Sequence, residues 1–313
     1  MSAERDTLSD LTVLFSHAPS SNLFYPGWIR TSRPQKTLTF LTLNDGTTQS
    51  GLQCVLPASP PIALDTGSSI VIKGTLQESS GSGQSLELSV DSWDSVAIVG
   101  PAQGYPLAKK RHTLEYLRTL PHLRMRTNTL ASVARARSTA SVAVHSYCDS
   151  KGYLNVHTPL LTTSDCEGAG EVFKVDTDLF GRDVGLTVSG QLAAEVAATA
   201  VGACYTFGPT FRAENSNTRK HLCEFWMIEP EIPFCDAHGA MDSCEGMVRH
   251  VAGKVWEERA DDMAFFANFY DKKLEEKKDA ILNKPFERVS YTAAVKAIQE
   301  EVSEKYPLTP RYM

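Results

Sequence analysis

Apolar residues along this chain recur with two different periods, and the change from one to the other divides it. From about Asn22 to Val99 they alternate in short runs, GWIRT, LTFLTLNDGT, LQCVL, SSIVIKGTL and SLELSVDSW, with breaks at Asn44-Asp45-Gly46 and at the Ser79-Ser80-Gly81-Ser82-Gly83 stretch. Alternation bounded by Gly, Asn, Asp and Ser marks β-strands, and this many short strands with glycine turns predicts a small β-barrel, a β-sandwich being the alternative. Pro26, just before Gly27, removes a ladder donor, so the first strand is expected to start late or lie at a sheet edge. Beyond residue 126 the period becomes helical. Leu130, Val133, Ala134, Val144, Tyr147 and Cys148 share one face of a helix over roughly 127–150, which leads through GYLNVHTP into a strand ending at Pro159. An alanine-rich helix from Gln191 to about Ala203 is expected to be packed, and Met241, Cys244, Met247, Val248, Val251 and Val255 mark another amphipathic helix. Charged helical segments follow.

One stretch resists this scheme. Residues 206–231 read TFGPTFRAENSNTRKHLCEFWMIEPE. Tyr205, Phe207 and Phe211 alternate before its middle, and Phe225, Met227 and Glu229 alternate after it, so the two ends are predicted strands of an antiparallel hairpin. Between them lie Arg212, Glu214, Asn215, Asn217, Arg219, Lys220, His221 and Glu224, a run that no hydrophobic core accommodates. Arginine offers a planar fork of donors to phosphate oxygens, and an aromatic on the neighbouring strand offers a face to a base, so the hairpin suits a polyanion. A solvated, salt-bridged loop is the competing reading. Two further polar positions stand out. Glu167 and Glu171 lie on a glycine-spaced loop within 160–175, where a lid would be useful. Leu186 to Gln191 is expected to be a strand end, and Gln191 can both donate to and accept from a neutral polar ligand.

Charge and composition narrow the picture. Net charge is −6 over 313 residues, which argues against a generally cationic nucleic-acid-binding surface and leaves local basic patches. The most basic segment is 100–126, PAQGYPLAKKRHTLEYLRTLPHLRMR after Gly100, and it is expected to be a hinge, able either to track a nucleic-acid backbone or to serve as a solvated linker. Mean hydropathy is −0.22. No apolar run approaches the roughly 20 residues needed to span a bilayer. The seven cysteines include no CxxC pair and the eight histidines no HExxH, so no disulfide framework, structural zinc or other protein-held metal is expected. Residues 1–21 have neither a secretory nor a clear mitochondrial character, and no DNA or membrane partner is expected.

The hairpin resembles the second signature motif of class II aminoacyl-tRNA synthetases, an FRxE strand and an HxxxF strand, with Arg212, Glu214, His221 and Phe225 in the matching positions. Its wording resembles the asparaginyl branch of the bacterial and organellar type. The similarity runs from about Gly27 to Ala297 and includes HLRMRTN, DCEGAGE, LTVSGQL and FGPTFRAENSNT in family order. The resemblance implies that Arg212 holds the ATP α-phosphate, Phe225 stacks on adenine, Glu214 lies beside the adenylate and the tRNA acceptor end, and His221 is near the γ-phosphate. It implies that Glu167 meets the α-ammonium of the amino acid, with Ser189 and Gln191 completing that pocket. It also implies that Arg33, Phe40 and Gln53 meet anticodon bases, and that the helix and strand ending at Pro159 form a homodimer interface.

The expected architecture is α+β: an extension over 1–21, an OB-fold β-barrel for the anticodon over 22–100, the basic hinge over 101–126, and the front part of a class II catalytic domain over 127–313, with a mainly antiparallel sheet flanked by helices. The implied activity is that of an asparagine–tRNA ligase using ATP, Mg²⁺, asparagine and tRNA(Asn), in the mitochondrial matrix or the cytoplasm. The family's glycine-rich third motif has no match within the chain. The alternative expectation is therefore an inactive paralogue that binds tRNA or heterodimerises, and the chain alone is not expected to activate asparagine.

Overall fold

A computed structural model describes residues 23–58, 60, 63–79, 81, 84–100, 102–107, 110–166, 172–216, 218 and 220–305. It divides into one unit of Met1–Thr139 with Val255–Tyr270 and a second of Ala140–Lys254 with Asp271–Met313.

In the first unit, the alternating runs form β1 (Leu23–Pro34), β2 (Leu38–Asn44), β3 (Leu52–Pro57), β4 (Ser69–Glu78) and β5 (Leu86–Ser89). A further strand, β6 (Val96–Gly100), was not separated out by the sequence pattern. The sheet order is β1-β2-β3-β5-β4-β6, and β4 pairs with β1 as well, so the first five strands close on one another in the OB-fold connectivity. The pleat explains the core. Leu41 and Leu43 from β2, Cys54 and Leu56 from β3, and Ile70 and Ile72 from β4 all point inward and are buried. Full burial drives the Cys54 thiol up to about 12, as fits an unreactive packing residue.

Of the two outcomes expected for the first strand, the structure has the sheet edge: Pro26 lies within β1, opposite Val71 of β4. It is tolerated because β2 pairs with β1 only from Trp28 onward, which leaves residues 23–27 with a partner on one side alone. The basic segment contains a short helix, α1 (Leu114–Arg118), which Thr113 caps through the amide of Tyr116, and Leu107 and Leu117 are buried. Gly67, at φ +93°, lies so close to the Tyr105 ring that a Cβ there would sit 2.5 Å from it. Only glycine fits both that backbone and that approach.

The long helix α2 (Asn128–Ser150) carries a different buried face in its first half from the one expected. Val133 is exposed, while Ser132 and Thr139 are buried. Polar partners replace apolar packing there: Ser132 Oγ donates to Gln49 (3.0 Å), and Arg259 Nε donates to Thr139 Oγ1 (2.8 Å).

The second unit is built on a three-stranded sheet in which β7 (Leu154–Asn155) runs parallel to β11 (Cys204–Phe211), and β11 runs antiparallel to β12 (Glu224–Glu231). A smaller antiparallel sheet joins β8 (Leu161–Thr162), β9 (Lys174–Val175) and β10 (Val184–Leu186). Helix α3 (Gln191–Val201) packs through Ala194 and Ala198 against Cys204. The alanine-rich helix is thus packed through its small residues, while its bulkier Leu192, Val196 and Val201 are exposed. Helix α4 (Ala237–Glu258) places Met247 and Val251 with Val144, Tyr147 and Cys148 of α2 around Tyr205 and Phe207. The chain continues through α5 (Ala260–Phe269), a first-unit helix, then α6 (Leu274–Leu282) and α7 (Tyr291–Lys305). Among the described residues, no helix is long and apolar enough to cross a membrane.

Candidate active site and nucleic-acid interface

The register of the β11–β12 hairpin separates two kinds of chemistry. Thr206, Gly208 and Thr210 oppose Glu229, Met227 and Phe225, and these six share one face. Tyr205 and Phe207 project from the other face into the α2–α4 core. The two alternating sets seen in the sequence therefore lie on opposite faces, one structural and one available to a ligand.

Arg212 follows the end of β11, where its amide donates to the Cys223 carbonyl (3.0 Å) and keeps the pairing for one further position. That step places it on the ligand face, with its guanidinium 5.4 Å from the centre of the Phe225 ring. Four residues earlier on the same strand, a Cβ on Gly208 would meet nothing within 4 Å, so the face is open there. Glu214 is exposed, two residues beyond Arg212. His221 is exposed on the returning chain and hydrogen-bonds Thr218 through Nδ1. Asn217 and Arg219 lie outside the described residues.

At the other end of the face, β10 stops at Leu186 and Gln191 begins α3, so 187–190 is a turn and not the expected strand end. Thr187 anchors it: its carbonyl accepts from Phe211 N (2.9 Å), and its hydroxyl donates to the Ser189 carbonyl (2.5 Å). The turn then meets Glu229. Ser189 donates its hydroxyl to the Glu229 carboxylate, and the Gly190 amide donates to both of its oxygens at 3.1 and 3.2 Å. A Cβ on Gly190 would come within 2.6 Å of Thr158 Oγ1 and 2.8 Å of Thr206 Cγ2, so the approach requires glycine. Gln191 donates from its amide nitrogen to Glu195 (2.8 Å), which orients its carbonyl oxygen toward the Cys166 thiol, 3.7 Å away. Glu231, at the far end of β12, has its carboxyl pushed up by burial first, then by the charges of Glu195 and Glu229. This end of the face is acidic while the Arg212 end is cationic.

Ser189 and Gln191 thus come together, and so do Arg212 and Phe225. Glu229 was missed as a site residue, although its alternation with Phe225 and Met227 was already visible. Glu167 and Glu171 lie outside the described residues. Pro159 is exposed after β7, near the exposed Leu154, Leu160 and Leu161 in sequence.

In the first unit, Arg33 is opposite Phe40, Phe40 opposite Val55, and Thr42 opposite Gln53. Phe40 is half-buried between the buried Thr39 and Leu41, which puts its ring on the outer face of the strands, with Arg33 exposed beside it. Gln53 donates its amide to Glu87 (3.3 Å), a buried carboxylate that also accepts from Gln77 (3.2 Å) and Ser79 (2.9 Å). The three expected anticodon residues share a single outward face, and Glu87 fixes the orientation of one of them.

An OB-fold followed by an antiparallel hairpin that holds an arginine over a phenylalanine is the layout that the resemblance to class II synthetases implies, and the comparisons with known proteins give that class. The family model "tRNA synthetases class II (D, K and N)" matches residues 113–309, and that for the OB-fold nucleic acid binding domain matches 26–96. The asparagine–tRNA ligase of Desulfotalea psychrophila is 48% identical over 296 residues, covering 90% of this chain and 65% of its own length. That of Nostoc sp. is 42% identical over 324 residues, covering 95% and 69%. The chain belongs to the asparagine–tRNA ligase family of class II synthetases. It spans about two thirds of the length of these relatives, 64% for the ligase of Syntrophobacter fumaroxidans. Among solved structures, asparaginyl-tRNA synthetase from Pyrococcus horikoshii complexed with asparaginyl-adenylate superposes with a TM-score of 0.78 at 24% identity, over 90% of this chain and 64% of that one. The Entamoeba histolytica enzyme, also in complex with asparaginyl-adenylate, gives 0.77 at 21% identity, over 95% and 68%. Both share the fold.

Proposed function

We propose that this chain serves the ATP-dependent activation of asparagine and its transfer to tRNA(Asn). The observation that carries the reading is the Arg212–Phe225 pair, with 5.4 Å between guanidinium and ring, at the cationic end of a face that is open at Gly208 and acidic at Glu229. An adenylate has that polarity: a base and phosphate at one end, an ammonium at the other.

In this reading the asparagine carboxylate attacks the ATP α-phosphorus and pyrophosphate leaves. The tRNA terminal hydroxyl then takes the acyl group and AMP leaves. Arg212 neutralises charge on the α-phosphate while the Phe225 ring carries adenine, with Glu214 and His221 on the loop that borders the phosphates. Ser189, Gln191 and Glu229 orient asparagine, and Glu167 closes on its ammonium. The chain contributes positioning and charge more than proton transfer. Mg²⁺ would be held chiefly by the phosphates, since no group of three or more His, Cys, Asp or Glu among the described residues is arranged to hold a metal ion.

On the first unit, Arg33, Phe40 and Gln53 form the anticodon face, with the Phe40 ring stacking on a base. The exposed apolar residues around Pro159, Leu154, Leu160 and Leu161, support a homodimer built through this segment.

The test is Arg212→Ala, assayed by ATP–pyrophosphate exchange with asparagine in the assembly that carries the activity. Loss of one phosphate donor costs about 3–4 kcal/mol of transition-state stabilisation, so exchange should fall by at least a hundredfold while tRNA affinity is retained. Near-normal exchange would refute the assignment.

A further inference from the structure

The first unit holds a cavity of about 690 Å³ that shares no residue with the site above. It is lined by the middle of β1, the end of β2 with the loop that follows it, Thr66 and Gly67 before β4, residues from Tyr105 to His112 in the basic segment, the first turns of α2 and the aromatic end of α5. Its size is that of a small-molecule site.

Its chemistry is one-sided. Arg30, Lys110, Arg111, Arg126 and Arg135 all line it, and no Asp or Glu is among the described residues that do. Among the described residues, the carboxylate paired with this set is Asp262, 2.6 Å from Arg135. Arg30, Arg111 and Arg126 lie against neutral groups. Arg30 donates to the Arg126 carbonyl and to Asn128 Oδ1, Arg126 lies over the rings of Trp28 (5.1 Å) and Tyr105 (5.9 Å), and Arg111 lies over Tyr270 (5.5 Å). Burial pulls the Arg30 guanidinium below its ordinary value, and the charges of Arg126 and Arg135 add to that pull, against an opposing effect of Tyr105. Like charges converging in a partly dry cleft are unfavourable until an anion joins them.

The aromatic groups narrow the class of anion. Trp28 and Tyr270 are 38% and 46% exposed, and Phe269 beside Tyr270 is more exposed still. Cations interleaved with accessible rings fit a ligand that is both phosphorylated and flat, and an inorganic anion alone would leave the rings unused.

We propose that this cleft is a nucleotide-binding site, with the phosphate on Arg30, Arg111 and Arg126 and the base against Tyr270 and Phe269. A free nucleotide and a nucleotide within an RNA strand offer the same chemistry.

Isothermal titration on the full chain carrying Arg212→Ala distinguishes them, with AMP in one arm and a four-nucleotide oligoribonucleotide in the other. The proposal expects saturable one-to-one binding in at least one arm, weakened roughly ten- to hundredfold by Arg111→Ala, the equivalent of one charge-assisted hydrogen bond. Lys110→Ala is the second variant, because that side chain is exposed and its loss leaves folding intact. Binding of AMP alone assigns a free nucleotide. Binding of the oligoribonucleotide alone, with a steep salt dependence, assigns an RNA strand. No saturable binding in either arm, or binding indifferent to both substitutions, overturns the proposal. The same variants leave the Arg212 site untouched, so failure here does not bear on the function proposed above.

Discussion

The carboxylate of Glu229 is the most informative group to remove, because it joins β12 to the turn that precedes α3. Ser189 Oγ and the Gly190 amide both donate to it, and Ser189 is buried. A hydrogen bond to a charged acceptor contributes about 1.5–3 kcal/mol, and an orphaned buried donor costs about 1–3 kcal/mol. The face is open at Gly208, so water can reach part of the gap and offset some of that loss. Glu229→Ala should therefore destabilise the second unit by about 2–3 kcal/mol. In a unit of this size that lowers the melting temperature by roughly 4–12 °C. Glu229→Gln keeps an acceptor oxygen in the same place and should cost less than half as much. In the assembly that carries activity, Glu229→Gln should raise the KM for asparagine well above its effect on the KM for ATP, since the carboxylate lies at the acidic end of the face. Thermal unfolding and pyrophosphate exchange read the two effects separately. A shift below about 1 °C for the alanine variant would mean the bonds contribute nothing net. Equal damage from both variants would mean that charge, and not hydrogen-bond geometry, is what the turn requires.

Phe40→Ala should weaken tRNA(Asn) binding by about 1–3 kcal/mol, one lost base stack, with little change in melting temperature; filter binding that is unchanged while the unit unfolds would make the ring a core residue. Gly208→Ala should leave stability within about 0.5 kcal/mol, because its Cβ meets nothing, yet raise the KM for ATP or asparagine; unaltered kinetics would show that the open space is not occupied by substrate. Glu245 is held below its ordinary 4.5, first by the hydrogen bond from Arg249, so it favours the folded state above that pH and the contribution is lost as pH falls through the lowered value. Urea midpoints taken from pH 6 down to pH 3 should fall more steeply in the native chain than in Arg249→Ala, and parallel curves would refute the linkage.

Much of this was visible in the chain because period and chemistry coincided. The five alternating runs each became a strand, since alternation with glycine turns has few other solutions. The hairpin stood out because a charged run between two alternating apolar segments has no place in a core, and the resemblance to the second class II motif singled out Arg212 and Phe225 within it. What stayed hidden depended on partners distant in sequence. Val133 fits a helical stripe, but Ser132 and Thr139 are buried because Gln49 and Arg259 supply hydrogen bonds from 83 and 120 positions away. Glu87 reads as one more polar residue in an alternating strand until Gln53, Gln77 and Ser79 converge on it. The cavity on the first unit is likewise a product of six stretches of chain, and of these the sequence marked out the basic segment without showing what faces it.

The hairpin owes its capacity to the two-residue period of a strand. A surface that must bind a charged ligand and also anchor a core cannot do both with the same side chains, and a pleat assigns alternate residues to the two tasks. Thus Tyr205 and Phe207 hold the sheet to α2 and α4 while Gly208, the neighbour of Phe207, leaves the opposite face open. On the partner strand Phe225, Met227 and Glu229 step from a ring to a carboxylate in five positions, which at about 3.3 Å per residue spans roughly 13 Å. That distance separates a cationic end from an acidic one along a rigid element, so the polarity of the site is set by strand register and not by loop conformation. A one-residue slip of β12 would turn Glu229 away from Ser189 and Phe225 away from Arg212 together. The tight contacts at Gly190 and the buried Thr210 hydroxyl, which donates to the Phe225 carbonyl at 3.1 Å, hold that register at both ends.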